Sequence, residues 1–161
     1  MSDTNDQRAL RNALGTFATG VTVVTTVDDG GQHWGFTANS FTSVSLDPPL
    51  VLFCLTHQAE SMPAFAHASS FIVNVLASEQ EAISNLFASR GVDKFAEVDF
   101  QPGETGCARI TGAVAWFECA MTQKIDAGDH AIFIGRVLDY GSNDADPLAY
   151  CRGRYGTVHA R

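Results

Sequence analysis

Hydroxyl and amide side chains cluster in one stretch of the sequence, residues 35–49, between the apolar runs 21–27 and 50–55. The alternation typical of a strand with one buried face does not hold past Ser40, which indicates a bend near Asn39 and Ser40. Neutral donors that converge at a bend suit a phosphate or the polar edge of a ring, because they fix position without a large charge. A serine- and threonine-rich strand edge before a Pro-Pro turn is the alternative. Five hydroxyls and one amide fall within nine residues, at Thr37, Asn39, Ser40, Thr42, Ser43 and Ser45.

Two other groups of residues have the chemistry to bind a nucleotide. Asp129-His130 lies in a glycine-containing turn between predicted strands, where the imidazole could hydrogen-bond a carboxamide or supply a proton near neutral pH. The segment 152–156 joins two arginines to a tyrosine, with glycines that allow close backbone approach, and this suits a pyrophosphate and a planar ring. An exposed turn histidine and a solvated strand edge are the respective alternatives.

Two weaker signals point to a phosphate. Ser61 is predicted to begin a short helix, and free N–H groups at a helix start favour an anion, although simple capping explains a serine there equally well. Lys94-Phe95 places a cation beside an aromatic ring in a segment without regular structure.

Composition limits the classes of function. The 161 residues predict a single domain, 1–161, with a real core. A net charge of −8 argues against nucleic acid as a partner. No apolar run has the length of a membrane span, and the polar N-terminus resembles neither a signal nor a transit peptide, so we expect a cytoplasmic protein.

The cysteines have no metal-ligand spacing, so no metal site is predicted. The sequence also contains neither a Rossmann nor a Walker motif.

The predicted elements are mostly strands with short connections. This pattern favours a mainly antiparallel β-barrel with a few peripheral helices. A first helix carries Leu10, Leu14 and Phe17 on one face, and Ser78 with Glu81 predicts a capping box. The apolar run 50–55 is predicted to be buried on both faces. Segments 114–125 and 131–138 read as two long strands joined by a turn.

The order of these segments resembles a known family. Residues 14–26, 35–49, 71–76, 93–95, 128–130 and 152–156 together are similar to the flavin reductase-like family of split-barrel FMN-binding proteins. These proteins are the reductase components of two-component flavin-dependent monooxygenases. The resemblance extends over nearly the whole chain, and Thr37-Ala-Asn-Ser-Phe41 with Leu46-Asp-Pro-Pro49 is its most specific part.

The resemblance implies a split β-barrel homodimer that binds FMN or FAD and oxidises NADH, or NADPH, to supply reduced flavin to a separate oxygenase. No basic pair is placed for a 2′-phosphate, which favours NADH. His130 would orient the nicotinamide, and the segment containing Arg152, Gly153, Arg154 and Tyr155 would face the nicotinamide nucleotide. The flavin site implied by the resemblance comprises Thr37, Ala38, Asn39, Ser40, Phe41, Cys54, Leu55, Ser61, Ser89, Arg90, Lys94 and Phe95.

One position departs from the family pattern. Many members carry a hydroxyl or basic residue where this chain has Gln58-Ala59-Glu60, and Glu60 would repel a phosphate unless it points away. Two other functions remain open: a different split-barrel enzyme, such as an oxidase of pyridoxamine phosphate, and a module that binds FMN without turnover. In the reductase, the hydride passes from the nicotinamide to the flavin, so the protein has mainly to position the two cofactors.

Overall fold

The computed structural model describes residues 3–159. Residues 1–2 and 160–161, which the predicted domain 1–161 includes, lie outside the described residues. The helices are α1 Asp3–Leu14, α2 Met62–His67 and α3 Glu81–Ala88, with a 3₁₀ helix at Lys94–Glu97. The strands are β1 Thr19–Gly20, β2 Thr22–Val27, β3 His33–Ala38, β4 Thr42–Leu46, β5 Pro49–Thr56, β6 Ser70–Val75, β7 Phe100–Pro102, β8 Ala108–Ile110, β9 Ala115–Ala127, β10 His130–Ser142, β11 Leu148–Cys151 and β12 Arg154–Thr157.

The main sheet has seven antiparallel strands in the order β3-β2-β6-β9-β10-β5-β4. Smaller sheets join β1-β11-β12 and β7-β8. The main sheet curls, so that Phe36 of β3 and Phe53 of β5 have ring centroids only 5.7 Å apart. The predicted mainly β, barrel-like architecture with peripheral helices is therefore confirmed.

An aromatic cluster fills the curled sheet. Phe53 stacks on Phe133 of the neighbouring strand at 5.0 Å and meets Phe71 edge-on at 4.9 Å. Phe65 of α2 closes one side of the cluster, which explains why this short helix packs against the sheet. Aromatic pairs in offset or edge-on geometry contribute stability beyond the area that they bury.

The prediction that residues 50–55 are buried on both faces is wrong. Val51, Phe53 and Leu55 are buried, whereas Leu50, Leu52 and Cys54 between them are only half-buried. The strand alternates as an antiparallel strand does when one of its faces packs on the core. Its second face is covered only in part, although its side chains are just as apolar.

The long hairpin differs from its predicted bounds. β9 and β10 extend to Ala127 and from His130, so the turn between them is two residues long. His130 therefore begins a strand and pairs with Thr56 across the sheet. Gly128 supplies the positive φ of +66° that a tight turn requires.

The first helix ends at Leu14 and leaves its apolar face uncovered. Leu14 and Phe17 are 65% and 79% exposed. The predicted capping box at α3 is wrong as well, because Gln80 is the cap residue and no side-chain capping bond forms there. The Gln80 side chain instead accepts from the Ala77 N–H and donates to the Thr111 carbonyl.

None of the helices in the described part of the chain is both long and apolar enough to cross a membrane.

Candidate functional site

The polar stretch bends where the sequence predicts. β3 ends at Ala38, and Asn39 forms a bend before β4 starts at Thr42. The Ser40 hydroxyl accepts from the Cys54 N–H at 2.9 Å and lies 3.3 Å from the Cys54 carbonyl oxygen. This hydroxyl thus takes the place of a backbone partner for β5, and it fixes the bend beside the half-buried face of that strand.

A cavity of about 220 Å³ opens between β3, β5 and α3, and we call it the inner cavity. It brings together six residues that the sequence places far apart. Three of them carry hydroxyls and two carry positive charges, which are groups that bind phosphate. The six predicted site residues in its lining are Thr37, Leu55, Ser61, Ser89, Arg90 and Lys94.

Lys94 is the cation best fixed in this cavity. Its ammonium donates to the Phe87 carbonyl at 2.9 Å and to the Gly35 carbonyl at 3.3 Å. Because an ammonium has three N–H donors, one remains for a ligand. Burial lowers the pKa of Lys94 below its ordinary value, and the nearby Glu60 carboxylate opposes part of that shift.

Two loops form the rim of the inner cavity. The Glu60 carboxylate accepts from the Gly91 N–H at 3.2 Å, and the Arg90 guanidinium lies 3.4 Å from the Gln58 carbonyl oxygen. Glu60 is therefore held by the opposite loop, but its carboxylate also belongs to the lining of the inner cavity, so its repulsion of a phosphate stays a prediction. The helix after Ser61 has only six residues, so the predicted dipole at that end is weak, although Ser61 itself is buried in the lining.

A larger groove of about 1320 Å³ lies between α1, the polar bend and the β11–β12 hairpin, and we call it the α1 groove. It collects the predicted residues Asn39, Ser40, Cys54, Arg152 and Gly153. A hollow of about 180 Å³ shares Thr37 with the inner cavity and Asn39 with the α1 groove. The inner cavity, this hollow and the α1 groove therefore adjoin one another along one face of the molecule.

His130 stands at the strand end next to the inner cavity. It pairs with Thr56, a residue of the cavity lining, and its Nδ1 lies 2.7 Å from Asp129 Oδ1. The hydrogen bond from His130 lowers the pKa of Asp129, so this carboxylate stays ionised at more acidic pH than usual. Because Nδ1 is occupied, Nε2 is the nitrogen left for a ligand.

Tyr155 has its hydroxyl turned toward α3. The hydroxyl lies 2.7 Å from Ser84 Oγ and donates to Asn85 Oδ1 at 3.0 Å. The Ser84 carbonyl in turn accepts from the Thr37 hydroxyl at 2.6 Å. Tyr155 thus links the C-terminal hairpin to the strand that carries Thr37.

The remaining predicted residues lie around these cavities. Ala38 is buried in the core, and Phe41 stacks on Phe117 at 5.5 Å. Phe95 packs on Phe87 and lines a separate hollow that also contacts Lys94. Arg154 begins β12, beyond the tip of the hairpin.

Sequence reasoning missed the contribution of α1. Arg11, Asn12 and Phe17 line the α1 groove, as does Tyr150 of β11. The available signal was the apolar face predicted for the first helix, which is exposed in the structure and to which the sequence interpretation assigned no ligand.

Comparisons with known proteins identify the family of this chain. Residues 14–159 match the model of the flavin reductase like domain. A probable flavin reductase of Rhizobium meliloti strain 1021 is 51% identical over 94% of this chain and 49% of its own length. The reductase component of the flavin-dependent trigonelline monooxygenase from Acinetobacter baylyi is 48% identical over 98% of this chain and 51% of its own length. This chain thus spans about half the length of these two relatives.

One solved structure is similar over almost its whole length. The NADH:FAD oxidoreductase SgcE6 of Streptomyces globisporus, in complex with NAD and FAD fragments, superposes with a TM-score of 0.92 at 40% identity. The alignment covers 99% of this chain and 96% of that one.

Proposed function

The chain belongs to the family of flavin reductase like domains, and on that premise we propose that it reduces FMN or FAD with NADH and passes the reduced flavin to a separate oxygenase. The observation that carries the proposal is the position of a small cationic cavity and a long groove on one face of the molecule. Small size and positive charge suit a phosphate, and the groove has room for planar rings. The relatives named above are described as a probable flavin reductase, the reductase component of a flavin-dependent monooxygenase and an NADH:FAD oxidoreductase.

The donor chemistry supports a phosphorylated flavin. In the proposal, Lys94, Arg90, Ser61 and Ser89 hold the phosphate end, and the free ammonium N–H of Lys94 is the strongest single donor. The bend at Asn39–Ser40, with Cys54 opposite, holds the ring edge. The bound flavin supplies the hydride-accepting chemistry, and the chain supplies position and electrostatics.

The role proposed for His130 is orientation of the nicotinamide. Asp129 fixes the ring through Nδ1, which leaves Nε2 to bond the carboxamide. This role requires no proton transfer to the reacting atoms. The side chain should therefore contribute to nucleotide binding more than to the rate of the chemical step.

We expect His130→Ala to raise the KM for NADH by about 3- to 10-fold, the worth of one hydrogen bond, and to lower kcat by less than about twofold. Steady-state NADH oxidation at saturating flavin measures both constants. His67→Ala is the matched control, because that imidazole bonds the Pro63 carbonyl of its own helix. A large fall in kcat with an unchanged KM would contradict the orienting role and indicate proton transfer.

A homodimer is part of the proposal, because one apolar surface has no cover within the described residues. β4 forms one edge of the main sheet and exposes Val44 and Leu46, the latter by 93%. The distal part of β10 adds Leu138 and Tyr140, with Tyr140 69% exposed. An edge strand with exposed apolar side chains favours pairing with another chain, and a second copy is the proposed partner.

We expect Leu46→Glu to convert a dimer into a monomer, because the partner surface would have to desolvate a carboxylate. Light scattering coupled to gel filtration should give twice the 17.3 kDa chain mass for the wild type and the chain mass for the variant. Val92→Glu, on an exposed loop at the inner-cavity side, is the control and should remain dimeric. A wild type that elutes as a monomer would contradict the homodimer.

The proposed activity is tested by NADH oxidation followed at the nicotinamide absorbance, with and without added FMN or FAD. Turnover that requires free flavin and saturates with it would support the reductase and identify the preferred flavin. Bound flavin that remains oxidised in the presence of NADH would favour the non-catalytic module instead. Oxidation of pyridoxamine phosphate would favour the alternative split-barrel enzyme.

A further inference from the structure

Two arginines from distant parts of the chain line the α1 groove. They are Arg11 in the last turn of α1 and Arg152 at the tip of the β11–β12 hairpin. The lining of this groove contains no Asp or Glu, although the chain has 18 acidic and 10 basic residues. Among the side chains of residues 6–159, the ion pairs are His57 with Asp126 and His130 with Asp129. Neither arginine is therefore paired with any of these carboxylates.

The backbone couples the two arginines through a single residue. The Gly15 N–H donates to the Arg11 carbonyl at 2.8 Å, and the Gly15 carbonyl accepts from the Arg152 N–H at 2.6 Å. A Cβ at position 15 would stand 3.2 Å from the Arg11 oxygen and 3.7 Å from Arg152 Cα. Glycine thus lets the helix end and the hairpin tip meet closely, and this contact holds both guanidinium stems at the same groove.

The backbone of Arg152 points to a function for its side chain. Arg152 has φ +52° and Gly153 has φ +75°, as both residues of a two-residue hairpin turn of type I′ require. Asn or Gly is the favoured residue at the first of these positions, and Arg152 is the one non-glycine residue with positive φ in the described chain. A residue kept in a disfavoured conformation is a reason to look for a functional constraint on its side chain.

We propose that Arg11 and Arg152 together bind the diphosphate of the nicotinamide nucleotide, with Arg11 a specificity-determining residue of the α1 groove. The proposal rests on the proposed function. The diphosphate of a dinucleotide carries two negative charges, and each phosphate presents paired oxygens that a planar guanidinium group can bind in bidentate geometry. Two unpaired cations in an acid-free groove of an acidic protein fit such a ligand and explain why the hairpin tip retains an arginine.

The test uses the 161-residue chain with FMN as the acceptor, so that NADH is the only source of diphosphate. Arg11→Gln and Arg152→Asn should each raise the KM for NADH by about tenfold, as expected for loss of a charge-assisted hydrogen bond. The KM for FMN, and the kcat/KM for reduced nicotinamide riboside, which lacks phosphate, should change by less than about twofold. ADP should bind the wild type in calorimetry and bind each variant at least about tenfold more weakly.

Two controls separate binding from a structural role. Arg8→Gln, one helical turn earlier and outside the groove lining, should leave the KM for NADH unchanged. Arg152→Asn should raise Tm by about 2–4 °C, because asparagine tolerates positive φ. An arginine that served only the fold would instead give a lower Tm and an unchanged KM when it is replaced, and that result would overturn the proposal.

The remaining outcomes are also decisive. If the wild type oxidises NADH and both variants keep its KM and its affinity for ADP, the diphosphate site is wrong and the reductase stands. If the wild type does not oxidise NADH but ADP binding depends on Arg11 and Arg152, the proposed function fails and the anion site stands. A rise in the KM for FAD with an unchanged KM for NADH would assign the pair to the flavin and overturn the proposal.

Discussion

Lys94→Gln should weaken the binding of FMN by about 10- to 100-fold and leave the affinity for riboflavin within about twofold. The ammonium already donates to the carbonyls of Phe87 and Gly35, so its position in the lining of the inner cavity is fixed and one N–H remains for a ligand. A donor whose position is fixed before binding loses little entropy when the phosphate arrives. Riboflavin lacks the phosphate, and its binding therefore reports any indirect damage to the site.

Titration of flavin fluorescence with each compound measures both affinities. Lys124→Gln is the matched control, because that ammonium also bonds a backbone carbonyl, that of Ala66, and its pKa is likewise lowered by burial. It does not line the inner cavity. Equal losses for FMN and riboflavin in Lys94→Gln would show that the lysine supports the loops and not the phosphate.

The pH dependence provides a second check on the same lysine. Burial lowers the pKa of Lys94, so its charge is lost at a lower pH than that of an ordinary lysine. The affinity for FMN should therefore fall as the pH rises through the lowered pKa of Lys94. The affinity for riboflavin should not change over the same range. In Lys94→Arg the fall should disappear, since a guanidinium stays protonated throughout this range.

The sequence predicts the architecture well because local patterns determine most of it. β2 with β3 and β9 with β10 are adjacent in sequence and joined by turns rich in Asp and Gly, so their pairing follows from turn chemistry. The bend after Ala38 is visible for a similar reason, since the alternation of side chains fails there. The order of the strands in the main sheet depends on long-range pairing, which no local pattern in the sequence predicts.

The wrong prediction for residues 50–55 has a physical cause that the first helix shows as well. An apolar side chain is read as buried, but its cover has to be supplied by another element. Leu52 and Cys54 alternate out of the core toward partly open space, and Leu14 and Phe17 have no core to meet. These faces border the α1 groove, where Phe17 and Cys54 both line the wall. Apolar residues retained for a ligand or a second subunit cannot be distinguished from core residues by hydropathy alone.

The hydrogen-bond partners of polar residues in the candidate site could not be predicted from the sequence either. The Thr37 and Ser40 hydroxyls, which look free in the sequence, bond the Ser84 carbonyl and the Cys54 backbone. The Glu60 carboxylate, for which the sequence shows no partner, accepts from the Gly91 N–H. Each difference arises from a contact between residues at least 14 positions apart, which no local pattern contains.

Phe53→Ala should lower the free energy of unfolding by about 3–5 kcal/mol, the largest loss that we expect from one substitution in this chain. Phe53 is fully buried, and its ring contacts those of Phe36, Phe65, Phe71 and Phe133. These rings come from β3, α2, β6 and β10, so the cavity left by alanine would lie inside the curl of the main sheet. The surrounding strands cannot collapse into it without breaking their ladders.

Denaturant unfolding of the flavin-free protein, at one protein concentration for all variants, measures the loss. Phe17→Ala is the control, because it removes the same atoms from a ring that is 79% exposed, and it should cost less than about 1 kcal/mol. Similar losses for the two variants would mean that Phe17 is covered in solution by a second subunit. A loss below about 1.5 kcal/mol for Phe53→Ala would contradict the closed aromatic core. Because Phe53 directly precedes Cys54, whose backbone holds the Ser40 hydroxyl, the same variant should also loosen the polar bend and weaken flavin binding.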